Sequence, residues 1–140
     1  RRFRFVLPKM TDRSLDFSFS GLKTAALRII REEGIAKGGP ALADFLASFE
    51  EAVVRAVMVK VERMAEEVGP RGLVLSGGVA RNKRLRARFE AFAAASGLEA
   101  AVPSPKLCTD NAAMVGSLAA AKLAGGAEPY LSLALNAYPR

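Results

Sequence analysis

Three short stretches of this chain carry residue types that do chemistry. The first is Leu73-Val-Leu-Ser-Gly-Gly-Val-Ala-Arg-Asn82. Leu73 to Leu75 read as a short buried strand, and Ser76, Gly77 and Gly78 turn the chain into a helix predicted to start near Val79. Glycines at such a turn let backbone approach a ligand with no Cβ in the way. The helix start adds unpaired N–H groups and a partial positive charge, so the stretch makes a cradle for a nucleotide or another anion. Asn82, one turn into that helix, reaches the same cradle. The same residues also fit a plain strand-to-helix turn with no ligand.

The second stretch is Cys108-Thr-Asp-Asn-Ala-Ala-Met114, at the predicted start of the last helix and just after a strand. That is where α/β sheets place ligand-binding groups. Asp110 is a candidate metal ligand, although one carboxylate is not a site. Thr109 or Asp110 is equally a candidate helix cap. Cys108 beside a helix start reads either as a thiol of lowered pKa or as a buried core cysteine. The third stretch, Asp16-Phe-Ser-Phe-Ser-Gly-Leu-Lys23, sets a hydroxyl, a glycine and a lysine at a helix start. It suits a phosphate, but it lacks the glycine spacing of a Walker A loop and also reads as an N-capped amphipathic helix.

These stretches need elements to hold them. Residues 3–7 alternate and are expected to be extended up to Pro8. In residues 15–19, Leu15, Phe17 and Phe19 share one face, and Ser20 fits the N-cap of a helix from Leu22 to about Glu33. Its apolar face is Leu22, Ala26, Ile29 and Ile30. Pro40 suits the first turn of a long helix to about Val68, striped by Leu42, Phe45, Leu46, Phe49, Val53, Val57, Val61 and Met64. Gly69-Pro70 ends it. After the strand at 73–75, a helix from Val79 to about Ala95 turns Leu85, Phe89 and Phe92 to the core and its arginines outward. A strand over Leu98–Val102 and a helix from about Thr109 to about Leu123 follow, and the tail 130–138 alternates. Strand, helix, strand, helix from residue 71 on is α/β with parallel strands.

Composition narrows the function. The 140 residues suit one domain with a core, and 51% apolar with 25% charged residues describes a folded globular chain. No apolar run approaches the roughly 18 residues that span a bilayer. The single cysteine forbids an internal disulfide and fits a reducing cytosol. With no histidine, a Ser-His-Asp triad, a Cys-His pair and any local histidine metal site are excluded. The net charge of +7, concentrated in Arg81, Lys83, Arg84, Arg86 and Arg88 and again in Arg1, Arg2 and Arg4, points to a polyanion such as RNA.

Asp16-Phe-Ser-Phe-Ser-Gly-Leu-Lys-Thr-Ala25, Leu75-Ser-Gly-Gly-Val-Ala-Arg-Asn82 with Leu85-Arg86, and Cys108-Thr-Asp-Asn-Ala-Ala-Met114, in this order, resemble the tRNA adenosine threonylcarbamoyltransferases, a family formerly described as O-sialoglycoprotein endopeptidases. The resemblance starts at Pro8–Asp12 and covers nearly the whole chain. It implies the C-terminal lobe of an actin/Hsp70/sugar-kinase-like (ASKHA) fold, residues 1–140 forming a single lobe whose N-terminal companion is missing. It implies transfer of threonylcarbamoyl from threonylcarbamoyl-AMP to the adenosine 3′ of the anticodon, by a metal-dependent acyltransferase of the cytoplasm. Asn82, Gly77 and Gly78 would hold the adenylate. Asp110 would ligate one iron or zinc ion completed by histidines absent from this chain, so the chain alone is expected to be inactive. tRNA, an activating paralogue and an ATPase are the implied partners. A metalloendopeptidase, or a small-molecule kinase on the same fold, is one alternative. A non-catalytic RNA-binding lobe is the other.

Overall fold

The computed structural model describes residues 3–6 and 15–126. The Pro8–Asp12 segment and the 130–138 tail lie outside them. The elements run α1 (Ser20–Glu32), α2 (Pro40–Val68), β1 (Gly72–Val74), a 3-10 turn (Gly78–Arg81), α3 (Lys83–Ala95), β2 (Glu99–Ala101), a second 3-10 turn (Pro105–Leu107) and α4 (Ala112–Ala124).

The spine is α2. Pro40 sits in its first turn, where a missing N–H costs nothing. Gly69 ends it in the left-handed region at φ 60°, its N–H donating to the carbonyl of Ala65, a conformation that disfavours side chains with a Cβ. The two halves of α2 face different clusters. Phe45 and Ala52 pack with Phe3, Phe5 and Leu22 of the N-terminal region and α1. Val54 and Met58 pack with Leu73 of β1 and with Leu85, Phe89 and Ala93 of α3. The stripe read from the sequence holds except at Leu46 and Met64, which stay 53% and 38% exposed. Leu46 lies beside Phe45 but off the packed face.

Residues 3–6 and 15–19 form no ladder, and the alternation is physical only in the first, where Phe3 and Phe5 are buried while Arg4 and Val6 are exposed; in the second, Phe17, expected to share a face with Leu15 and Phe19, is 55% exposed. The Phe5 ring meets the Phe45 and Phe49 rings edge-on at 5.8 and 5.5 Å. Ser20 is not the cap of α1. It lies inside the helix, its carbonyl accepts the Thr24 hydroxyl, and its own hydroxyl is 3.2 Å from that of Ser18.

β1 and β2 pair in parallel, Gly72 opposite Glu99, Leu73 opposite Ala100 and Val74 opposite Ala101, with α3 as the crossover. The chain is α/β, as its pattern implies. β1 begins one residue earlier than its apolar run, and Leu75 still donates to the carbonyl of Ala101. Leu73 points to α2 and α3, whereas Val74, of opposite parity, is 74% exposed. Thus the described residues cover one face of this sheet. α4 buries none of its residues. No helix among the described residues is long and apolar enough to cross a membrane.

Replacing Leu85 by Ala is expected to lower unfolding stability by about 3 kcal/mol, because Leu85 is 2% exposed between α2 and β1. Val74→Ala is expected to change it by less than about 0.5 kcal/mol. Urea titration of the two variants checks both.

Candidate functional site

Parallel pairing sends the chain out of β1 and out of β2 at the same end of the sheet. The Gly77-Gly78 turn leaves β1 there, and the segment carrying Cys108 and Asp110 leaves β2 there. Ligands in open parallel sheets bind outside the carboxyl ends of strands. Topology therefore brings the first two sequence candidates to one edge. The third, Asp16–Lys23, goes into α1 and the second cluster instead. Its Phe17, with the preceding Leu15, lines an apolar groove along Gly72–Leu75.

Gly77 has φ 84° and ψ 174°, a conformation open essentially to glycine alone. A Cβ at Gly77 or Gly78 would meet nothing within 4 Å, so the demand at Gly77 is conformational and the space above the turn is open. The turn closes through Ala80 N–H to the Gly77 carbonyl and Asn82 N–H to the Val79 carbonyl, both 3.0 Å. It is a 3-10 turn and not the start of a continuous α-helix.

Asn82 is consequently not one turn inside a helix. It is the N-cap of α3: its Oδ1 accepts the Leu85 N–H at 2.8 Å. Its Nδ2 donates to Oε1 of Glu50 on α2 at 2.7 Å. These two bonds use one lone pair and one amide proton, leaving the others open. A cavity of about 200 Å³ lies alongside, walled by Phe49, Val53, Val57 and Val79, with Glu50 and Asn82 as its polar groups.

At the second strand's exit, neither Thr109 nor Asp110 caps the helix. Asn111 does, accepting the Met114 N–H on Oδ1 at 2.9 Å and donating from Nδ2 to the Thr109 carbonyl. Asp110 is exposed, and among the described residues no hydrogen bond or ion pair engages its carboxylate. Cys108 is 4% exposed, its thiol 3.5 Å from the Ser104 carbonyl, which settles it as a packed cysteine. Among the described residues no group of three or more His, Cys, Asp or Glu is placed to hold a metal ion. The residues present do not fit a complete iron or zinc site: Asp110 offers one carboxylate without companions.

The basic stretch 81–88 divides. Arg84 pairs with Glu51 at 2.8 Å and Glu50 at 3.4 Å, and Arg88 reaches Glu51 at 3.2 Å. Arg86 turns inward, against the expectation that these arginines face out, and donates to the carbonyls of Ala80 and Pro103. Arg81 and Lys83 are exposed, and among the described residues no ion pair engages them. Sequence reasoning missed Glu50 and the inward role of Arg86. The only signal for Arg86 is its place beside core Leu85, on the flank of a buried face.

The comparisons with known proteins agree with one another. Residues 1–117 match the family model described as TsaD, tRNA N6-adenosine threonylcarbamoyltransferase. A protein of that name from Geobacter sulfurreducens is 48% identical over 111 residues, 79% of this chain and 32% of the relative. One from Anaeromyxobacter dehalogenans is 50% identical over 115 residues, 81% of this chain and 34% of the relative. One from Aromatoleum aromaticum is 38% identical over 144 residues, 99% of this chain and 40% of the relative. The chain thus spans a third to two-fifths of the length of these relatives.

Asn82→Ala removes a cap and one hydrogen bond to Glu50, which keeps its pairing with Arg84, and is expected to cost about 1 kcal/mol. Asn82→Asp keeps the acceptor for Leu85 but sets a carboxylate against that of Glu50. Two like charges raise the pair's folded pKa above the unfolded values, so the stability contribution of the pair is lost as pH rises through that raised value. Denaturant titrations are expected to find Asn82→Asp closest to wild type near about pH 4 and falling behind it toward about pH 7.

Proposed function

The chain belongs to the tRNA N6-adenosine threonylcarbamoyltransferase family, and from that premise we propose that it is the C-terminal, adenylate-holding lobe of such an enzyme, built on an ASKHA fold. The observation that carries the reading is the shared exit of the Gly77 turn and the Asp110 segment from adjacent parallel strands. The relatives' greater length and the uncovered Val74 face of the sheet agree with a lobe that packs against further chain.

In this reading the substrate is threonylcarbamoyl-AMP. The backbone N–H groups of the Gly77-Gly78 turn face its phosphate, and Asn82 offers its remaining amide proton and lone pair. The exocyclic amine of the tRNA adenosine attacks the carbamoyl carbon, the bond from that carbon to the phosphate oxygen breaks, AMP leaves, and the amine gives up a proton. Donors fixed before the reaction stabilise charge on the departing AMP with little reorganisation. Asp110 would supply one ligand to an iron or zinc ion, which would act as a Lewis acid and would need its further ligands from outside the described residues. tRNA is the second substrate, reached through Arg81 and Lys83, and the reaction belongs to the cytoplasm. An activating paralogue and an ATPase are the helper proteins to look for. The two competing readings, a metalloendopeptidase and a lone RNA-binding lobe, have no specific observation in their favour.

In the whole enzyme, Asp110→Asn is expected to abolish threonylcarbamoyl transfer while unfolding stability changes by less than about 0.5 kcal/mol, since the side chain is exposed and caps nothing. Wild-type transfer by this variant overturns the assignment. Arg81→Gln and Lys83→Gln are each expected to weaken tRNA binding and reduce its salt dependence by about one unit of log–log slope, read from binding isotherms at several salt concentrations.

A further inference from the structure

We propose that Arg86 is a positioning residue that fixes the Gly77–Asn82 turn and the Asp110 segment relative to each other. The proposal rests on the reading of those two segments as one site. Arg86 sits on the first turn of α3, and its side chain crosses toward the exits of both strands. Nη1 donates to the carbonyl of Ala80, inside the Gly-Gly turn, at 3.1 Å. Nη2 donates to the carbonyl of Pro103, at the beginning of the segment that leads to Asp110. Nη1 also lies 3.8 Å from the Cys108 sulfur. Among the described residues, every hydrogen bond joining residues 77–82 to residues 103–111 runs through this one guanidinium.

The chemistry of the side chain suits the task. A guanidinium is planar, permanently charged, and holds its donors in a rigid fork. Two carbonyls from separate loops fix the plane of the fork, and the charge strengthens each bond. Ala80 is fully buried and Cys108 nearly so, while Arg86 and Pro103 are half-buried, so the fork is partly shielded from water. A lysine keeps the charge but offers a single point of donation on a flexible stem. It can follow one loop and not hold two. The backbone alone ties the second segment down lightly: its 3-10 turn closes through the Leu107 N–H to the Ser104 carbonyl. The thiol of Cys108, tucked against Arg86 and the Pro103 and Ser104 carbonyls, reports whether the segment is docked.

The test uses that reporter. Cys108 is the chain's single cysteine, so alkylation by N-ethylmaleimide read as a mass shift is unambiguous. Arg86→Lys and Arg86→Gln are expected to raise the native-state alkylation rate by about tenfold or more, through local opening of the segment. Leu22→Ala, in the other core cluster, serves as a control for general destabilisation and is expected to raise it only as far as global stability falls. In the whole enzyme, Arg86→Lys is expected to lower kcat by about tenfold or more while KM for tRNA stays within about twofold. A wild-type alkylation rate in Arg86→Lys overturns the proposal, because charge without the fork then suffices. A raised alkylation rate with unchanged kcat also overturns it, because the docking then has no bearing on the site. Failure of the underlying site reading shows separately: Asp110→Asn then transfers at the wild-type rate, whatever Cys108 reports.

Discussion

Three residues of parallel pairing, Gly72–Val74 on Glu99–Ala101, decide that the Gly77-Gly78 turn and the Asp110 segment leave the sheet at the same end. Antiparallel pairing would send the two exits to opposite ends of the sheet. Parallel pairing requires a crossover, and α3 supplies it by packing Leu85, Phe89 and Ala93 onto Leu73 and onto Val54 and Met58 of α2. The strands are too short to persist on their own ladder bonds. In β1 the register is set by Leu73, its one buried residue, so the burial of Leu73 also fixes where the Gly-Gly turn leaves the sheet.

Much of this frame is legible in the sequence because its signals are local. α2 announces itself by a 3.6-residue stripe between Pro40 and Gly69, and both ends fall where those residues put them. The apolar run at Leu73–Leu75 and the glycines after it mark a strand and a turn. The helix starts are legible only to within a few residues. Val79 and Thr109 both look like beginnings, yet α3 and α4 start at Lys83 and Ala112 behind asparagine caps. A 3-10 turn intervenes at each exit, and Arg86 engages both exits, through the carbonyl of Ala80 in the first turn and that of Pro103 just before the second. Nothing within a window of local sequence encodes a partner 6 or 17 positions away.

Charge shows the same division between composition and arrangement. Five bases in eight residues read as a single solvent-facing patch. In the fold they perform three tasks. Arg84 and Arg88 stitch α3 to α2 through Glu50 and Glu51, where Glu51 is only 15% exposed. Arg86 joins two loops, and Arg81 and Lys83 remain at the surface. Net charge correctly indicates the sign of the field around the molecule, but it overstates how many cations are available to a polyanion.

The two asparagine caps have a consequence for that field. An aspartate at either position would satisfy the same N–H and would also place a negative charge on the positive end of the helix dipole. Asn82 and Asn111 satisfy Leu85 and Met114 while remaining neutral, and neither α3 nor α4 carries an acidic residue in its first turn. Neither cap therefore adds a charge of its own, and the negative charge beside each start comes instead from Glu50, bonded to Asn82, and from Asp110, which precedes Asn111. Asp110 is the one carboxylate placed immediately before either start, and the choice of Asn111 as cap leaves it uncommitted. An aspartate next to a helix start interacts favourably with the helix dipole even without capping it, a contribution of about 0.3 kcal/mol at an exposed position such as that of Asp110.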